Sequence, residues 1–262
     1  MIKPIHVLEE KNRMYTVHFV KEAHQPITLE PPQDSHIQVC SNIPDNGFYL
    51  CYVDNQLTLK HTHSSLSLAV DFNSADIQNR IKANTARLDL VKAIEGKSKQ
   101  ALHVLDMTAG LGQDSFCIAA RGHRVTAIES NPYVFLLLLD GLKRAVAEPK
   151  LAQIANQIQL NFANSGAASG NLLSSGYDVI YLDPMFPERA KSAKVKKNRQ
   201  LLHELVGIDD HNDQSLWRRA KALQPKKIVV KRPRLGESLS VEKPGSQVIG
   251  KSSRFDIYAL SM

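Results

Sequence analysis

Residues 103–114 read HVLDMTAGLGQD, and this stretch decides how the rest of the chain is read. Val104 and Leu105 are the apolar end of a short buried strand, Asp106 closes it, and Gly110 and Gly112 punctuate a tight turn. Residues 114–120 then have the spacing of a helix opening. Strand, glycine turn and helix in succession allow backbone to approach a cofactor closely, because glycine lacks a Cβ and tolerates left-handed dihedrals. Such a turn gains meaning from the residues placed downstream of it at set distances.

Working outward, strand candidates at residues 102–105, 124–128, 158–162, 178–182, 227–230 and 255–260 alternate with helical patterns. One helix, 133–146, is rich in leucine nearly all round, and another closes at 220–223 and includes Leu216 and Trp217. This alternation predicts an α/β fold: a doubly wound, mostly parallel, Rossmann-like sheet covered on both faces. Trp217 is assigned to the core.

Residues 1–72 read as a small N-terminal α+β domain, with short strands at 16–20, 37–41, 48–53 and 56–61 and an alternating stretch at 65–70. Asp54-Asn55 suits a two-residue hairpin turn. Residues 74–95 read as one helix, with Ile77, Ile81, Leu88 and Val91 favouring one face and Gly96 ending it. The predicted organisation is a small domain over 1–72, a connecting helix over 73–96 and the large domain over 97–262.

Composition narrows the partners. With 33 Lys+Arg against 26 Asp+Glu, the formal charge of +7 favours a polyanion. Cys40, Cys51 and Cys117 are scattered, with neither a disulfide framework nor paired metal-ligand spacing, which favours a reducing compartment. His61 and His63 lack an accompanying Cys or carboxylate cluster, so no metal is expected. The first residues, MIKPIHVLEEKNRMY, contain no apolar signal region, and the longest apolar run, residues 134–139, is far below a membrane span. A cytoplasmic protein without a membrane partner is expected.

Two further features carry the chemistry. Glu129 follows strand 124–128, at roughly the 20-residue separation from the glycine turn where an acidic side chain meets a ribose diol in a βαβ unit. Asp183-Pro184-Met185-Phe186-Pro187 follows strand 178–182. A dinucleotide oxidoreductase accounts for the turn and Glu129 but fits the Asp183 loop poorly, and the third glycine of its G-x-G-x-x-G fingerprint is missing after Gly112.

Together, VLDMTAGLGQD, AIESNP and YLDPMFP resemble a class I S-adenosylmethionine (SAM)-dependent methyltransferase, and DPMF resembles the [D/N]-P-P-[F/Y] motif of amino-methylating members. The chain is most similar to the bacterial small-subunit rRNA guanine-N2 methyltransferase J family. VDFNSADIQNRIK (residues 70–82) is similar to that family's segment before the core, and VVKRPR (229–234) to its Lys-Arg-Pro sequence after the fifth strand. The resemblance covers residues 65–262 well and the first 60 loosely.

It implies SAM as cofactor. Asp106, Thr108, Gly110, Gly112 and Asp114 would surround the methionine moiety, and Glu129 would hold the ribose. Asn131, Asn164 and Ser165 would line the adenine slot, with Asp183 at the reacting end. An exocyclic amine is a poor nucleophile because its lone pair is delocalised into the ring. The Asp183 carboxylate and the Pro184 carbonyl would accept its hydrogens and aim the lone pair, while Phe186 stacks on the base.

Phosphate contacts are expected from Arg80, Lys82 and Arg87. Further ones are expected from the cluster Arg189, Lys191, Lys194, Lys196, Lys197 and Arg199, and from Lys231, Arg232, Arg234 and Lys251. The implied partner is 16S rRNA or the small ribosomal subunit. Two departures stand out: Met185 replaces the motif's second proline, and IKANTAR (residues 81–87) lacks the family's glycines. Guanine N2 comes from the resemblance alone. The loop chemistry also admits adenine-N6 methylation of DNA or RNA, and a cofactor-binding RNA-assembly protein without turnover is the alternative of another class.

Overall fold

The computed structural model describes residues 14–21, 30–32, 35–82, 88–165, 176–184, 197–206 and 212–260. In chain order, β1 (Tyr15–His18) and β2 (Ile37–Cys40) form a parallel pair, and β3 (Phe48–Val53), β4 (Gln56–His61) and β5 (Ser64–Ala69) an antiparallel sheet. Asp54 and Asn55 turn the β3–β4 hairpin with φ of 49° and 60°, the left-handed pair that matches strand twist. Two short helices follow, α1 (Ala75–Ile81) and α2 (Asp89–Glu95). The larger unit runs β6 (His103–Asp106), α3 (Gln113–Ala119), β7 (Arg124–Glu129), α4 (Pro132–Ala147), α5 (Ala152–Ala155), β8 (Ile158–Phe162) and β9 (Val179–Leu182). It continues with α6 (Lys197–Val206), α7 (Asn212–Ala222), β10 (Lys227–Pro233), β11 (Ser246–Ile249) and β12 (Ser253–Ala259).

The seven-stranded sheet has the order β11-β12-β10-β9-β6-β7-β8. Its strands from β10 to β8 are parallel, whereas at the other edge β12 pairs antiparallel with both β10 and β11. Side chains alternate between two apolar layers, as strand pleating requires. Val104, Val125, Ala127, Val179, Tyr181 and Val229 join the core that includes α3 and α4. Leu105, Ile128, Ile180, Leu182, Ile228 and Val230 join a second core with Leu216 and Trp217 of α7. Trp217 is buried there, edge-on to Tyr258 with ring centroids 4.6 Å apart. The doubly wound reading holds.

The helix expected over 74–95 is instead two. Lys82 and Leu88 are extended, with ψ of 175° and 134°, so the helical ladder stops after α1 and restarts at Asp89. Both halves pack on α3, and α2 packs also on β11 and β12. Gly96 does end α2, with φ of 57°. Sequence periodicity also missed β11, an edge strand with little burial.

The leucine-rich α4 is apolar nearly all round because it lies between the large sheet, at β7 and β8, and the N-terminal strands β1 and β4. Polar ties hold that arrangement. Asp140 accepts hydrogen bonds from the Leu57 amide (3.2 Å) and from Arg144 Nε (2.8 Å), and Arg144 donates to the Val70 carbonyl. The Tyr133 hydroxyl accepts from the His18 amide (3.1 Å) and donates to the Phe48 carbonyl (3.2 Å). One continuous apolar core therefore includes both the N-terminal strands and the large sheet.

The packing is close at Gly141. A Cβ there would lie 2.5 Å from Val70 Cγ1 and 3.1 Å from the Val70 carbonyl oxygen. Helix propensity alone favours Gly141→Ala by about 1 kcal/mol, but overpacking against backbone costs about 1–3 kcal/mol. Thermal melts should show Gly141→Ala lowering Tm by a few degrees; a rise would mean that residue 70 yields freely.

Candidate functional site

The site begins where β6 lies between β7 and β9, with α3 and α4 on one face and α7 on the other. At the carboxyl ends of such strands a crevice opens, because successive connections leave in opposite directions. The residue 107–112 turn, Glu129, residues 163–165, Asp183 and Lys231 converge there.

Asp106 shapes the turn from below. Its Oδ1 accepts from the Thr108 amide at 3.0 Å and its Oδ2 from Ser115 Oγ at 2.5 Å. The side chain is fully buried; burial pushes its carboxyl up to about 7, opposed by the bonds from Ser115 and Thr108 and helped by Asp114 and Asp183. Gly110 and Gly112 have φ of 52° and 73°. The Gly110 amide donates to Glu129 Oε2 (2.9 Å) and the Asn131 amide to Oε1 (2.7 Å). At Gly112 a Cβ would run into Leu138 of α4 and come within 3.3 Å of Phe72. The turn is thus pinned by both the sheet and the N-terminal segment.

An ionic cluster fills the other side. Asp114, in the first turn of α3, accepts from Arg80 (2.6 Å), the Tyr181 hydroxyl (2.7 Å) and Lys231 Nζ (2.7 Å). Lys231 Nζ also reaches Asp183 Oδ2 at 2.7 Å, and the Asp183 amide donates to Thr108 Oγ1 at 2.7 Å. Burial alone would raise the Asp114 carboxyl, but Lys231 and Arg80 hold it well below the usual carboxylate range. Burial likewise opposes charge on Lys231, and Asp114 and Asp183 overcome it, so its proton is held more tightly than an ordinary lysine's. Burial and Asp114 push the Tyr181 hydroxyl up, keeping it a donor.

Several residues sit differently from their sequence reading. Asp106, with no exposed surface and both oxygens engaged, holds the turn rather than facing the crevice. Ser165 is buried and donates to the Met107 carbonyl at 2.5 Å, bracing the same turn. The Asn131 side-chain oxygen caps α4 by accepting from the Tyr133 and Val134 amides. Asn164 is half-buried beside Ser165.

Three residues read as phosphate contacts are turned inward. Arg80 and Lys231 are committed to Asp114, and Arg232 is buried, its Nε donating to the Glu237 carbonyl at 2.6 Å. The reason is that β10 continues through Pro233, so Lys231 and Arg232 lie in the strand rather than beyond it. Lys82, Arg234 and Lys251 are exposed. Phe186, Arg87, Arg189, Lys191, Lys194 and Lys196 lie outside the described residues, as do the side chains of Lys197 and Arg199, whose backbone opens α6. Tyr181 and Ser115 were not singled out from sequence; strand alternation, which puts residues 181 and 183 on one face, could have found the first.

A family model described as "Putative SAM-dependent methyltransferase" matches residues 35–260. Ribosomal RNA small subunit methyltransferase J of Francisella philomiragia is 46% identical over 210 residues, covering 80% of this chain and 87% of that one. Its namesake in Francisella tularensis subsp. novicida is 45% identical over 211 residues, covering 80% and 86%. The chain belongs to the ribosomal RNA small subunit methyltransferase J family. A SAM-dependent methyltransferase from Neisseria gonorrhoeae, 31% identical, shares the fold with a TM-score of 0.72 over 93% of this chain and 96% of that one. As a member of the methyltransferase J family the protein is a SAM-dependent methyltransferase.

The crevice fits that cofactor. Glu129 accepts from the Gly110 and Asn131 amides, and the Ser130 amide also acts on it; with about four lone-pair sites on a carboxylate, acceptor capacity remains for a ribose hydroxyl. The Cα of Gly110 faces open space, where the nearest atom to an added Cβ would be the Thr108 carbonyl oxygen at 3.9 Å. Asp114 is occupied by Arg80, Tyr181 and Lys231, so Asp183, the more exposed of the two carboxylates, is the one placed to face a sulfonium or an ammonium. Among the described residues no group of three or more metal-ligating side chains occurs, and no helix is long and apolar enough to cross a membrane.

Burial of Asp106 sets a pH dependence. Its folded-state value of about 7 lies above the ordinary 3.8, so its contribution to stability is complete below about pH 4 and is lost as pH rises through 7. Relative to Asp106→Asn, the wild type should lose stability with rising pH, by up to about 1.4 kcal/mol per pH unit between the two values. Urea unfolding of both proteins from pH 5 to 8.5 measures the difference; parallel curves would show that Asp106 stays charged at no cost.

Proposed function

We propose that the protein transfers the methyl group of SAM to the N2 amine of a guanosine in 16S rRNA of the small ribosomal subunit, in the cytoplasm. The observation that carries this reading is the attachment of Asp183-Pro184 to the cofactor turn: the Asp183 amide bonds to Thr108 Oγ1, and its carboxylate stands on the rim of the crevice. The name of the Francisella relatives supplies the class of RNA. The motif resemblance supplies guanine N2.

SAM, when bound, supplies an electrophilic methyl on a sulfonium. Thr108, Gly110 and Gly112 would shape the wall along the methionine moiety, Glu129 would accept from the ribose hydroxyls, and Asn164 would border the adenine. Asp183 and the Pro184 carbonyl accept the two hydrogens of the target amine, turning its lone pair towards the methyl, and Asp183 receives the proton the amine sheds. Phe186 stacks on the extruded base. Exposed Lys82, Arg234 and Lys251, with Arg87 and the basic residues 189–199, contact phosphates.

Glu129→Ala should raise the SAM dissociation constant about 10- to 100-fold, the loss expected for hydrogen bonds to a charged acceptor. Glu129→Gln should lose less; calorimetric titration measures both, and unaltered affinity would remove Glu129 from the ribose site. Small subunits from cells lacking the protein, incubated with labelled SAM and digested for nucleoside mass spectrometry, test the reaction. Label should appear in N2-methylguanosine and fall on the order of 100- to 1,000-fold with Asp183→Ala. Label in N6-methyladenosine would overturn the base assignment, and no label despite SAM binding would favour a non-catalytic assembly role.

A further inference from the structure

We propose that Lys231 is a positioning residue for methyl transfer, its ammonium fixing the orientation of the Asp183 carboxylate towards the target amine. This rests on the reading of Asp183 above. The backbone bond from Asp183 to Thr108 fixes where the residue begins, but two side-chain torsions separate that backbone from the carboxylate. Lys231 Nζ, 2.7 Å from Asp183 Oδ2, attaches the carboxylate itself.

Lys231 is itself held. It bridges to Asp114 Oδ2 at 2.7 Å, and Asp114 is fixed at the head of α3 by Arg80 and Tyr181. Only 25% of the lysine side chain is exposed, unlike a mobile surface lysine. A carboxylate offers about four lone-pair sites, so an ammonium on one oxygen leaves capacity for an amine hydrogen. The cation also offsets the repulsion between Asp183 and Asp114.

Phosphate binding is the competing role, and the local charge opposes it. A lysine already paired with two carboxylates has little charge left for an approaching phosphate. Swinging out to reach one would leave Asp183 and Asp114 without their shared cation, at partly buried positions where losing one partner is costly. The lysine's charge is spent inside the site.

The test compares wild type, Lys231→Met, Lys231→Arg and Asp183→Asn with small subunits as substrate, measuring kcat, KM for the subunit, SAM affinity and the salt dependence of KM. Lys231→Met should lower kcat on the order of 10- to 100-fold, with SAM affinity and KM within about threefold of wild type, and Lys231→Arg should recover part of kcat by bridging the same carboxylates. Retained SAM affinity shows that the variant is folded; should Lys231→Met not accumulate, Lys231→Gln carries the same comparison. A raised KM with a shallower salt slope and intact kcat would make Lys231 a phosphate contact and overturn the proposal. Unchanged kcat, or a loss confined to SAM binding, would overturn it too. A wild type that forms no N2-methylguanosine, or an Asp183→Asn as active as wild type, would instead overturn the functional reading beneath it.

Discussion

The crowding of carboxylates at one end of the sheet is the constraint on which the site's architecture depends. Asp106, Asp114 and Asp183 all come to the carboxyl ends of neighbouring strands, where a cationic cofactor has to be received. Like charges in a partly buried crevice are tolerated only when something answers each of them. Asp106 is answered by burial, which favours its neutral form, and by the hydroxyl of Ser115. Asp114 and Asp183 share Lys231, with Arg80 and Tyr181 completing the shell around Asp114. Separate elements and their flanking loops supply these groups, so the balance exists only once the sheet and α1 have come together.

The N-terminal strands belong to the same physical problem. Helix α4 is apolar on nearly every side and needs a cover on the face turned away from the large sheet. The β3–β4–β5 sheet provides it, and in doing so brings Val70 and Phe72 close to Gly141 and Gly112. Phe72 stacks on Phe116 of α3 with centroids 4.1 Å apart, so the segment leading into α1 also packs on the helix that carries Asp114. Covering a helix and steadying the cofactor turn are thus one arrangement of side chains.

Arg254 shows how the antiparallel edge keeps its loop in place. It is paired with fully buried Asp256 and donates to the carbonyls of Pro233, Arg234 and Gly236. Those bonds hold the chain that leaves β10 just beyond Lys231. The exposed Arg234 is therefore presented on a braced turn, while Arg232, two residues earlier, faces inward.

Much of this protein is set by local pattern. The strand–glycine–helix at residues 103–114, the acid at Glu129, the Asp183-Pro184 loop and the Asp54-Asn55 hairpin were legible in the sequence because each is specified by residues adjacent in the chain. Periodicity placed β3, β4 and β8 at their observed bounds and gave the alternation that makes a doubly wound sheet. The division of residues 74–95 into two helices was not legible, because α2 packs also against β11 and β12, strands remote in the sequence. Nor were the directions of Arg80, Lys231 and Arg232: a basic residue beside a proposed RNA site reads as a phosphate contact until its partners are known. Asp114 lies 34 residues from Arg80 and 117 from Lys231. Sequence by itself determined which charges and turns this chain possesses; the tertiary structure alone decided which charges neutralise one another, because ion pairing depends on distances in space that local spacing does not encode.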